Sequence, residues 1–160
     1  RVENSLHRPT SNLSSYNLQG TANRMERFAG KWCLSSVEFE KMKAMYIATF
    51  GKSAAEMDEQ KEQWMKTYME VSEDGTHWEH GNVPFGGDRT MMFDKAEQTC
   101  KLIKSPSYVL QSTFEMTGDG AMTIHSRRDF KMIFKITGHQ MKMTQSMGEF
   151  SYDTVYTKST

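Results

Sequence analysis

Read at period two, the C-terminal third of the chain sorts its residues onto two faces. Phe130, Met132, Phe134 and Ile136 fall on one side, Lys131 and Lys135 on the other. After Thr137-Gly138-His139 the alternation resumes, with Met141, Met143, Gln145 and Met147 against Lys142, Thr144 and Ser146. Gly148-Glu149 leads into Phe150, Tyr152, Thr154 and Tyr156 against Ser151 and Asp153. This pattern predicts three half-buried strands of an antiparallel meander, joined by tight Gly-containing turns. The prospective inner face also carries Gln145, Thr154 and two tyrosine hydroxyls. Each buried polar atom needs a partner, so a ligand cavity tolerates such a row better than a solid core does.

Upstream, a short first strand begins near Phe28, with Trp32 and Leu34 on one face. Strands then follow at 67–72, 76–80, 89–93 and 99–104, with Glu73-Asp74-Gly75 as a hairpin turn. Tyr108, Leu110, Ser112, Phe114 and Met116 share one face of a long strand, and Met122, Ile124 and Ser126 continue on its return. Between the first and second strands lies the one strongly helical region. Ser35 with Glu38 makes a capping-box pattern ahead of an apolar stripe of Phe39, Met42, Met45, Tyr46 and Phe50, with Gly51 as the stop. Ser53 with Glu56 opens a second, more polar helix carrying Met57, Trp64 and Met65. The expected fold is all-β, a ten-stranded antiparallel up-and-down barrel with a helix-turn-helix lid between strands 1 and 2. So many evenly spaced strands close on themselves to remove edges, and a ring of ten is too wide for side chains alone to fill comfortably.

Residues 1–24 are rich in Ser, Asn and Arg without a hydrophobic period, and read as a flexible extension; residues 25–160 form one domain. The formal net charge of zero gives no reason to expect nucleic acid as a partner. No apolar run is long enough to span a bilayer. Fourteen methionines in 160 residues fit either loose core filling or an adaptable lining for a greasy ligand. Cys33 and Cys100 lack metal spacing and read as two reduced thiols, which favours a cytoplasmic protein. His77 and His80, with Glu79 between them, resemble a metal cluster, but on a strand the two histidines face opposite ways. Trp78 and His80 share a face of unassigned direction. His125 and His139 read as surface. No nucleophile–base pair or paired carboxylates present themselves, so no catalytic residue, metal or cofactor is expected.

Phe28-Ala29-Gly30-Lys31-Trp32-Cys33-Leu34 resembles the F-x-G-x-W-x-L opening of the intracellular lipid-binding proteins, the fatty-acid- and retinoid-binding members of the lipocalin-like calycins. Tyr152-Asp153-Thr154-Val155-Tyr156 resembles their closing strand, in which an Arg-x-Tyr pair commonly binds the ligand carboxylate. The order of strand, two helices and nine strands also agrees. The resemblance implies a carrier of a small hydrophobic ligand, but it places Thr154 where the arginine sits, and an ungapped count places Phe134 at the second anion-binding arginine. A carboxylate buried without its guanidinium would cost several kcal/mol. The ligand is therefore expected to be neutral or weakly polar unless another cation serves. Arg128 is the substitute considered, either as a rim contact or as a solvated turn residue.

The reading is a non-enzymatic, monomeric carrier. Its ligand-facing set is Tyr156, Thr154, Tyr152, Gln145, Met143, Phe134, Phe114, Ser112 and Trp78, with Arg128 at the rim. Phe39, Met42, Met45 and Trp64 form the lid, which also offers a surface for transient membrane contact. Two alternatives stay open. One is an enzyme in the same barrel, an isomerase or oxygen-dependent oxidase using Tyr156 and His80 to handle protons. The other is a secreted lipocalin-type carrier, which a Cys33–Cys100 disulfide would favour.

Overall fold

The computed structural model describes residues 25–127 and 129–159. Ten strands alternate in direction around a closed barrel: β1 (Gly30–Val37), β2 (Tyr68–Val71), β3 (His77–Gly81), β4 (Arg89–Asp94), β5 (Thr99–Ser105), β6 (Tyr108–Met116), β7 (Met122–His125), β8 (Lys131–Thr137), β9 (Gln140–Met147) and β10 (Phe150–Lys158). From β2 onward each strand pairs with its sequence neighbours, and β1 closes the ring by pairing with β2 over Gly30 to Cys33 on one edge and with β10 from Trp32 to Val37 on the other. A bulge at Ser35 interrupts the β1–β10 register between Leu34 and Ser36, and the Ser35 hydroxyl donates to the Val155 carbonyl at 3.0 Å. Three helices follow β1: α1 (Phe39–Phe50), α2 (Ala54–Glu59) and α3 (Lys61–Trp64).

The alternation of the last three strands is realised in the expected sense, since Met132, Phe134, Met141, Met143, Gln145, Tyr152, Thr154 and Tyr156 are all buried. The lid differs in its first cap. β1 runs on to Val37, so Ser35 is a strand residue and cannot cap a helix. Glu38 occupies the cap position instead, and its side chain caps no backbone N–H of α1. Its backbone N–H donates to the Asp153 carbonyl, and its carboxylate accepts from the Asp153 N–H at 2.9 Å, pinning the start of the lid to β10. The Lys41 ammonium at 2.6 Å, then the Asp153 N–H, hold the Glu38 carboxyl below its ordinary value. The second box forms as expected: Glu56 N–H donates to Ser53 Oγ, and Ser53 N–H to the Glu56 carboxylate. Gly51 ends α1 in the left-handed region, at φ 66°.

The end of the barrel away from the lid is solid. Met25 and Phe28 precede β1 and plug it, with the Phe28 ring 5.3 Å from Trp78 and the Trp32 indole N–H donating to the Phe28 carbonyl. The β2–β3 turn is fitted to that plug. Gly75 has φ 75°, and a Cβ there would come within 2.2 Å of the Met25 carbonyl oxygen. Asp74 accepts from the Ser72 hydroxyl and from the Thr76 backbone and hydroxyl, which lowers its carboxyl to about 2. Above the plug lies one apolar cluster with Trp78, Phe93, Phe114 and Phe134 near its centre. A second cluster joins Phe39, Met42, Met45, Tyr46, Met57 and Trp64 of the lid to Val83 and Tyr152.

Two positions predict contrasting costs. Phe134→Ala opens a cavity in a site with no solvent exposure and should destabilise by about 3–5 kcal/mol. Ser53→Ala removes one exposed cap and should cost about 1 kcal/mol. Urea unfolding of the two variants beside the parent chain measures both.

Candidate functional site

The apolar filling stops short of the lid, and a polar layer takes its place. Strand register brings it together: Tyr152 pairs with Gln145, Thr154 with Met143 and Tyr156 with Met141 across β9–β10, while Leu34 of β1 pairs with Tyr156. From the opposite wall His80 points inward, on the parity of buried Trp78, and Arg89 is its direct partner on β4. Between this layer and the lid lies a void of about 20 Å³. A single water needs roughly 10–15 Å³ by the same measure, so the void holds about one. Its walls are Leu34, Val37, Met42, Tyr46, Trp64, Thr67, His80, Arg89, Met143, Gln145, Tyr152, Thr154 and Tyr156.

The hydrogen bonds within the layer are few. Tyr152 donates its hydroxyl proton to Gln145 Oε1. The Tyr156 hydroxyl lies 3.4 Å from His80 Nε2. The Trp64 indole N–H is buried and has no partner among the described residues. Burial, with a smaller push from the Arg89 guanidinium, drops the His80 imidazole to about 3, so the ring is neutral near pH 7. Burial raises the Tyr152 and Tyr156 phenols above their ordinary range. A histidine that weakly basic beside a phenol that weakly acidic makes a hydrogen-bonding surface; neither group is poised for proton transfer near neutral pH.

Of the residues singled out by sequence, Tyr156, Thr154, Tyr152, Gln145 and Met143 meet around the void, joined by Met42 and Trp64 from the lid. Phe39 and Met45 are buried in the lid's own cluster. Trp78, Phe114 and Phe134 lie deeper: the Trp78 and Phe134 rings are 5.0 Å apart, and the Trp78 N–H is spent on the Gly75 carbonyl. Ser112 is also inside, opposite Cys100, its hydroxyl without a partner among the described residues. Arg128 lies outside the described residues. Sequence reasoning names Leu34 and Tyr46 only as members of a strand face and a helix stripe, and does not single out Val37, Thr67 or Arg89. The available signal for Arg89 is parity alone, since it stands two residues before Met91 and four before Phe93, both buried.

His77 faces outward, 3.3 Å from Glu79, so it and His80 lie on opposite sides of the wall. No three His, Cys, Asp or Glu side chains among the described residues group as metal ligands. Cys33 is exposed and Cys100 buried, both free thiols. No helix among the described residues is long and apolar enough to cross a membrane.

By sequence the chain matches no protein-family model and no curated protein. By structure it is similar to known barrels. A solved "REP1-NXSQ fatty acid transporter" superposes with a TM-score of 0.54 at 15% identity, covering 84% of this chain and 97% of that one. A point mutant of the same transporter superposes with a TM-score of 0.60 at 16% identity, covering 83% and 98%. A point mutant of the fluorescent protein UnaG gives a TM-score of 0.58 at 16% identity, covering 84% and 97%. The chain therefore has the closed, lidded ten-stranded barrel fold that these fatty-acid-transporter and fluorescent-protein structures share.

Proposed function

We propose that this chain is a non-enzymatic carrier that takes a small hydrophobic molecule into the barrel beneath the helical lid. The observation that carries the reading is the ring of buried polar groups around a void at the seam of barrel and lid, where a packed core would place apolar side chains. The naming of one structural neighbour, seen in parent and point-mutant structures, as a fatty acid transporter supports the same class of ligand.

A void for one water does not admit such a ligand unaltered, so binding requires displacement of side chains. Met42 and Met143 on the walls, with Met91, Met132 and Met141 below them, are unbranched and polarisable, and change shape at little rotamer cost. Apolar burial then supplies affinity at about 25 cal/mol per Å² removed from water. Tyr156, Tyr152, Gln145 and Thr154 orient a polar end, and swinging of α1 about the Glu38–Asp153 bonds gates exchange. The lid also exposes Ile47 (42%), Phe50 (46%) and Met65 (41%), an apolar surface suited to transient contact with a membrane. The carrier is read as a cytoplasmic monomer.

Native mass spectrometry of protein from its natural source, with organic extraction, should show a stoichiometric hydrophobic adduct; an empty protein that also takes up no fluorescent lipid would remove the carrier reading. Tyr156→Phe should weaken a bound long-chain fluorescent alcohol about two- to tenfold, the worth of one hydrogen bond; equal affinity takes Tyr156 out of the site. Acid should unmask His80. The folded protein keeps it neutral down to about 3 whereas the ordinary value is 6.5, so the unfolded chain takes up the extra proton and stability falls as pH drops below about 6.5. Between pH 7 and 5, above the range where Asp74 and Asp119 titrate, the urea midpoint should decline in the parent chain and decline less in His80→Phe. The difference should approach about 1 kcal/mol per pH unit.

A further inference from the structure

A second polar stretch of the inner wall lies on β5, β6 and β7, apart from the groups that line the void. Cys100 pairs with Ser112 across β5–β6. Thr113 with His125 is the last pair of β6–β7, so Ser112 and Ser126 face each other one step on. Ser126 stays in the ladder, its backbone N–H donating to the Phe130 carbonyl at 2.9 Å. Ser112 keeps the inward parity of buried Phe114, and Ser126 that of buried Met122 and Ile124. At one end of this row Phe93 pairs with Cys100 inside the core; at the other, Phe130 packs against both the core and the lid cluster. The two serines therefore lie between the apolar floor and the lid.

Neither hydroxyl is satisfied. Ser112 Oγ and Ser126 Oγ are both buried, and neither has a hydrogen-bond partner among the described residues, each other included. Ser112 is only 6% exposed, so bulk water does not reach it. An unpaired buried hydroxyl is costly, and alanine would fill either position in an apolar wall without that cost. Elsewhere in the barrel buried donors are paired: the Trp32 and Trp78 N–H groups and the Thr67 hydroxyl all donate to backbone carbonyls. Two neighbouring hydroxyls without partners mark a place for an outside group. Each serine can donate and accept, so the pair matches the two lone pairs of a carbonyl oxygen, or the donor and acceptor of a hydroxyl. Cys100 adds only a thiol, which burial pushes up to about 12. The row from Phe93 to Phe130 thus brings no charge, and an ion there would lie without a counter-charge, whereas a neutral oxygen fits.

We propose that Ser112 and Ser126 form a second polar subsite, which receives a neutral oxygen, carbonyl or hydroxyl, borne within the hydrocarbon body of the ligand. This rests on the carrier reading and narrows its ligand to an oxygenated lipophile. One polar end meets Tyr152, Gln145 and Tyr156, and a second oxygen lies partway along the chain. The register sets the separation. Gln145 pairs with Met132 and Met132 with Ile124, so Ser126 stands two strands from Gln145 and two residues past that level. At about 4.8 Å between strands and about 3.3 Å per residue, the wall separates their backbones by roughly 12 Å.

Long-chain saturated alcohols displacing a fluorescent lipid from the full chain test it. One is unsubstituted; the others have the same length and one keto group moved stepwise along the chain. The parent should bind the mid-chain ketones about fivefold or more tighter than ketones near either end. Ser112→Ala with Ser126→Ala should abolish that preference and leave the unsubstituted alcohol unchanged. Ser151→Ala, an exposed and outward change on β10, should alter neither. A parent without positional preference, or a preference that survives the double variant, overturns the subsite and leaves the carrier standing. Failure of the fluorescent lipid and of every alcohol to bind overturns the carrier reading itself. Urea unfolding of the ligand-free proteins separates a subsite from hydroxyls held by structural water. The double variant removes only unpaired groups, so its midpoint should equal or exceed the parent's; a lower midpoint overturns the proposal.

Discussion

Closure of the sheet is the constraint on which the rest of the structure depends. β1 pairs with β2 along one edge and with β10 along the other, and so joins the two ends of the meander. With no free edge, every inward side chain must be accommodated by its neighbours across a space too wide for Val and Leu alone. The chain meets this with tryptophan and phenylalanine low in the barrel and methionine throughout. Near the lid the filling gives way to hydroxyl, amide, imidazole and guanidinium groups. The barrel thus has a rigid, aromatic floor and a pliant, polar ceiling, and ligand chemistry can be grafted onto the second without disturbing the first.

The helices connect to this frame through one strand. α1 follows β1 without a loop long enough for a separate cap, so its start is held by β10 through Glu38 and Asp153. Inside the lid, Tyr46 packs edge-on to Trp64 at 5.7 Å, and both rings also face the void. Whatever displaces them alters the lid's own packing. Occupancy of the site and the position of the lid are in this way two readings of one arrangement of side chains.

Much of this is legible in the sequence because it follows from local rules. Alternation is strict where one wall face is wet, as in β8 to β10, and those inner residues can be named individually. The Ser53–Glu56 box is legible because both partners sit within one turn. Ser35–Glu38 has the same spacing but belongs to a strand, and only pairing with β10 reveals that. The direction of His80 is ambiguous in sequence for a related reason. β3 has only five residues, with histidines on both faces and no apolar run to vote. Arg89 stands at the end of a strand, where arginine is ordinary, and its place on the void comes from its pairing with His80, which chain neighbours do not disclose. The size of the void is beyond sequence altogether, since strand number sets the width of a barrel but side-chain rotamers set how much of it is empty.

The plug formed by Met25 and Phe28 gives the barrel a polarity. Met25 and Phe28 lie at the closed end, tucked against the turn that Gly75 makes room for, while the void and lid lie at the other. A label attached at exposed Glu73, on the turn between β2 and β3, therefore approaches the molecule from its sealed base and leaves the mouth unobstructed. The same attachment beside Phe50 or Gly51 would stand at the gate. For anyone building a sensor from this scaffold, the β2–β3 turn is the handle and the helical turn is the reporter position.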